Sequence, residues 1–249
     1  MSEEEFTLAT TDGECPCHLF SPDDGVAHPA VIFYMDGLGI RPALLDMGRR
    51  LAGHGYVVLV PDLYYRAGAY TPLSPAEVFA SGDIAATLGP LMVSTDNRRA
   101  AEDTRTFLDY LASREDVAGT QVGTTGYCLG GGISLTVAGT YPDRIAAAAS
   151  FHGGRLVGDS ELSPSRAVPN IAARVYVAGA DHDDSYTTAN ADQLDALLTE
   201  AGVDHRLEIY PNARHGFTMT DFPVYDEEAA ERHWRELVAL LDDTLKAQA

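Results

Sequence analysis

Residues 121–141 read QVGTTGYCLGGGISLTVAGTY. An apolar strand pattern from Gln121 to Tyr127 runs through G-Y-C-L-G-G-G straight into a helical pattern from Gly131 to Tyr141. The turn between them has the form G-x-C-x-G. So tight a strand-to-helix turn presses neighbouring backbone together and needs small residues two before and two after its apex, and Gly126 and Gly130 supply them. Cys128, at the apex, is therefore a candidate nucleophile in a place more often held by serine. Free N–H groups and the helix dipole stabilise a thiolate there. The Leu129 amide then points at a developing oxyanion. Gly37, in M-D-G-L-G after the earlier apolar run Ala30 to Met35, is the candidate second donor.

Outward from this segment, strand-like runs recur at Ala30 to Met35, Tyr56 to Val60, Ile145 to Phe151, Ala173 to Ala178 and Arg206 to Tyr210. Between them Pro42 to His54, Asp96 to Ser113, Tyr186 to Ala201 and Glu227 to Lys246 carry apolar residues at three- and four-residue spacing. Alternating strand and helix predict an α/β fold with a mostly parallel central sheet and helices on both faces. Thr7 to Phe20, with D-G at 12–13, predicts an antiparallel hairpin ahead of the parallel strands. The 249 residues carry no repeat or linker and are expected to form one domain, 1–249.

A thiol nucleophile needs a base and a group to orient it, and in this fold order the acid precedes the histidine, each on a loop after a later strand. The run Ala173 to Ala178 leads into A-G-A-D-H-D-D, which makes Asp181 the candidate acid, with Asp183 and Asp184 as alternatives and a helix cap as the plain reading. The run Arg206 to Tyr210 leads into P-N-A-R-H-G-F, which makes His215 the candidate base. The irregular stretches Tyr64 to Ser94 and Gly154 to Asn170, both after strands, are the expected pocket walls. No metal site is expected, because consecutive D-H-D-D ligands cannot easily converge and Cys15-Pro-Cys17-His18 has no partner pair elsewhere.

With 17 basic and 37 acidic residues the formal charge is −20, which argues against nucleic acid or an anionic membrane as partner. The acidic start M-S-E-E-E, the lack of a long apolar run and three cysteines together predict a cytoplasmic protein. The expected assembly is a monomer or small homo-oligomer.

The segments G-Y-C-L-G-G, V-P-D-L-Y, A-G-A-D and R-H-G-F, in this order, resemble the dienelactone hydrolase family over essentially the whole chain. The resemblance implies the α/β-hydrolase fold, cofactor-free hydrolysis of a small ester or lactone such as carboxymethylenebutenolide, and a cysteine acyl-enzyme. It also implies that Asp36, where the family usually has a glutamate, partners the thiol. Two family arginines that hold a substrate carboxylate are unmatched: Met219 stands at one position, and Ala67 to Met92 contains no Arg or Lys. Tyr64, Arg66 and His152 are the candidates to replace those contacts. The rivals are a thioesterase or general carboxylesterase within enzymes, and a non-catalytic small-ligand receptor outside them.

Overall fold

A computed structural model describes residues 1–246. Its strands are β1 (Ser2–Ala9), β2 (Glu14–Ser21), β3 (His28–Tyr34), β4 (Val57–Pro61), β5 (Val117–Tyr127), β6 (Ile145–Phe151), β7 (Arg174–His182) and β8 (His205–Arg214). Its helices are α1 (Pro42–Ala52), α2 (Pro75–Ala80), α3 (Ile84–Met92), α4 (Asn97–Ala112), α5 (Leu129–Thr140), α6 (Thr188–Glu200) and α7 (Glu227–Thr244). The strands form one sheet in the order β1-β2-β4-β3-β5-β6-β7-β8. β1, β2 and β4 pair antiparallel, and every pairing from β4 through β8 is parallel.

The parallel strands are apolar without alternation because helices cover both faces; Ala30 to Tyr34 are all fully buried. α1 and α7 share one face, where Arg50 reaches across to Glu231 at 2.6 and 2.7 Å and lies over the Trp234 ring. α4 and α5 pack against each other, and α5 lies on β3, β5 and β6. α7 turns Trp234, Leu237 and Leu241 inward from an Asp226 cap that accepts the Ala229 amide at 3.1 Å. Shaving Leu237 to alanine in such a core costs about 2–5 kcal/mol.

Three strand ends differ from the sequence reading in ways that matter. β1 begins at Ser2, because the acidic residues lie on an exposed edge where Glu3 meets Arg49 and Glu4 meets Arg114, both at 2.7 Å. β7 and β8 run past their apolar segments, pairing His182 with Arg214, so polar residues extend both strands toward the carboxyl edge. The stretch 64–94, expected to be irregular, also holds two short helices, capped by Ser74 and Asp83.

Candidate active site

The backbone at Cys128 has φ 52° and ψ −111°, a left-handed, strained conformation at the N-terminus of α5. The glycines around it are sterically required: a Cβ on Gly126 would collide with the Gly130 carbonyl, and one on Gly130 would lie 2.6 Å from the Met35 carbonyl oxygen. That second approach brings the end of β3 against the start of α5. β3 and β5 are neighbours with Tyr34 opposite Gly126, so the loops that follow them lie side by side. Leu129 offers one of the first-turn amides that a helix leaves unpaired. In the loop after β3, the Tyr64 hydroxyl donates to the Gly37 carbonyl at 2.8 Å and fixes that peptide beside the elbow.

His215 directly follows β8. Its Nδ1 donates to Asp183 Oδ2 at 2.6 Å, while Asp183 Oδ1 accepts from the Ser185 amide and hydroxyl at 2.8 and 2.6 Å. Burial disfavours a charged ring at His215, but the Cys128 sulfur and the Asp183 carboxylate outweigh it and raise His215 from 6.5 to about 10. Asp183 shifts the other way: burial raises it, but the bonds from His215 and Ser185 carry it below the ordinary carboxylate value. Cys128, Leu129, Asp183 and His215 open on one cavity of about 930 Å³, also lined by Ala85 and Met92 of α3 and by residues between 154 and 163.

Asp181, the acid expected from the sequence, is exposed and among the described residues accepts only the Asn212 amide, at 3.2 Å. The extra residues of β7 explain the difference. Because the strand continues to His182, Asp183 is the first residue of the loop, and it turns onto the histidine. Arg66 is also displaced from its expected role: it pairs with Asp103 at 2.8 Å and Asp12 at 2.7 Å and does not line the cavity. His152 is fully buried, its Nε2 on Thr218 Oγ1 at 2.7 Å and its ring 5.3 Å from that of His215. Burial and the charge of His215 depress it well below 6.5, so it sits as a neutral wall behind His215.

The sequence pattern of the dienelactone hydrolase family matches residues 16–245. The chain belongs to the dienelactone hydrolase family. A Salmonella typhi protein whose name proposes a carboxymethylenebutenolidase is 30% identical, the alignment covering 93% of this chain and 84% of that one. A Yersinia pestis protein with the same name is 27% identical over 94% and 85%. A Klebsiella pneumoniae structure described as a proposed dienelactone hydrolase superposes with a TM-score of 0.83 at 23% identity, covering 96% and 97%. A dienelactone hydrolase-like promiscuous phosphotriesterase from metagenomic libraries gives 0.76 at 21%. The chain is thus a hydrolase on the α/β-hydrolase fold, and no helix among its described residues is long and apolar enough to cross a membrane.

Set within the dienelactone hydrolase family, Asp36 departs from the expected thiol contact. Its two oxygens accept from Arg41 at 2.7 and 2.8 Å, and Oδ1 also takes the Leu38 amide at 2.9 Å. Arg41 is nearly fully buried and reaches on to Asp221 at 2.7 and 3.2 Å, with Phe222 stacked under it. One guanidinium therefore ties the Gly37 loop to the segment after His215. Nothing in the spacing of Asp36, Arg41 and Asp221 announces this; 180 residues separate the last two. Met219 is buried, so neither unmatched arginine position places a cation in the cavity.

Proposed function

We propose that Cys128, His215 and Asp183 act as nucleophile, base and orienting acid in the hydrolysis of a small ester or lactone through a thioester. His215 holds the proton taken from the Cys128 thiol, and the thiolate attacks the carbonyl carbon. The Leu129 and Gly37 amides stabilise the oxyanion. When the tetrahedral intermediate collapses, the C–O bond breaks and the leaving alkoxide takes the proton from His215. Water, deprotonated by the same ring, then attacks the thioester; the acid is released and the thiol regains its proton. Asp183 keeps Nδ1 protonated throughout, leaving Nε2 for the transfers.

The observation that carries this reading is the 2.6 Å bond from His215 to Asp183 on a ring whose charge is also favoured by the Cys128 sulfur. The carboxymethylenebutenolidase names of the relatives support the ester and lactone class. Asp36 and Tyr64 serve here by holding the oxyanion loop, and His152 by backing the base. Replacing Cys128 by alanine is expected to lower ester turnover by at least about 10³-fold. Mass spectrometry of the wild type under turnover is expected to find the acyl group on Cys128. Wild-type rates in the alanine variant refute the mechanism.

A further inference from the structure

The helix α3, IAATLGPLM, carries no charge, yet only Leu88 of it is buried. A helix apolar on every side is normally enclosed by protein. Ala85 and Met92 of this one line the cavity that contains Cys128. Of seven large apolar side chains exposed among the described residues, four are Ile84, Met92, Val93 and Leu162, on α3, next to it or in the segment 154–163 that also lines the cavity. Met92 also reaches the loop after β3: its sulfur lies 4.0 Å from where a Cβ on Gly37 would stand, and Leu88 lies 3.4 Å from the same point. Val157 and Leu162 add apolar lining to the same cavity.

The charges of the cavity do not select an anion. Arg155 lines it together with Asp159 and Asp184, so the wall has no surplus of positive charge to hold a carboxylate. A volume of about 930 Å³ is also near the upper end for a small-molecule site, well beyond the needs of a compact lactone.

We propose that the substrate is an uncharged ester with an extended apolar portion, seated between α3 and the Val157–Leu162 wall while its carbonyl meets Cys128. This rests on the hydrolase mechanism proposed above and assigns the substrate class of that site. Burying each added methylene in such a groove raises kcat/KM about three- to fourfold.

Two ester series test it: p-nitrophenyl acetate through octanoate, and acetates of ethanol through octanol. At least one series is expected to show that three- to fourfold rise per methylene up to about six carbons. Met92→Asp and Leu162→Asp are each expected to cut the long-to-short preference at least about tenfold. Calorimetry of n-alkyl amides on the Cys128→Ala protein reads the same slope without turnover. A flat or falling dependence in both series and in the amides overturns the proposal. So does faster hydrolysis of a carboxylate-ended ester than of the uncharged ester of equal length. Retained turnover in Cys128→Ala instead overturns the thioester mechanism, and a flat slope with Cys128-dependent turnover overturns only the substrate class.

Discussion

Asp183 and Asp181 stand two residues apart and offer the same carboxylate, so replacing each by asparagine separates position from chemistry. In Asp183→Asn the bond to His215 Nδ1, 2.6 Å in the native protein, loses its charge. A hydrogen bond to a charged group contributes about 1.5–3 kcal/mol, which corresponds to a loss of about ten- to 150-fold in kcat/KM. Where the amide turns its NH₂ toward the ring, the tautomer inverts and the loss approaches 10⁴-fold. Asp181 is exposed and holds one backbone amide at 3.2 Å, so Asp181→Asn is expected to change kcat/KM less than about threefold.

The pH profile supplies a second readout. Asp183 is one of the groups raising His215 to about 10, so its neutralisation lowers that value. The high-pH limb of kcat/KM, where the ring loses its proton, is expected to move to lower pH in Asp183→Asn and to stay in place in Asp181→Asn. The assay is ester hydrolysis from pH 6 to 10.5, with circular dichroism to establish folding. Equal damage from the two substitutions, or a limb that moves only with Asp181, refutes the assignment.

Two further outcomes follow from buried groups. Arg41→Met leaves the Asp36 carboxylate, 1% exposed, without its counterion; such breakage typically costs about 3–5 kcal/mol, measurable as a lower urea midpoint, and it loosens the Gly37 loop so that kcat falls more than KM changes. His233 is fully buried and depressed from 6.5 to about 3, so between those values the unfolded chain binds a proton that the native chain does not. Stability therefore falls as pH drops below 6.5, by about 2 kcal/mol at pH 5 from this residue, and His233→Phe is expected to flatten that part of the urea-midpoint profile.

The elbow was legible because its backbone admits few residues: only small side chains fit at 126 and 130. His215 was readable as a candidate because it is the histidine in the short polar segment that follows the late apolar run Arg206 to Tyr210. The choice among the aspartates was not. The last residues of β7 are polar, held as strand by pairing with β8 rather than by any apolar pattern, and that tail decides which carboxylate leaves the sheet. Arg66 misled because its partners, Asp12 and Asp103, come from distant segments and draw it away from the cavity. α3 was hidden in a stretch rich in Gly, Pro and Ser, where one proline, Pro90, sits inside the helix itself.

The acidic residues Glu3, Glu4 and Glu5 have a meaning beyond net charge, since they form the outer strand of an open sheet. An uncovered strand is adhesive: its free N–H and C=O groups are a template on which another chain can continue the ladder. A second β1 laid against this one would bring carboxylates into register with carboxylates, a few ångströms apart, while Arg49 and Arg114 are already engaged from within. The hairpin thus ends the sheet electrically where geometry alone would let it grow.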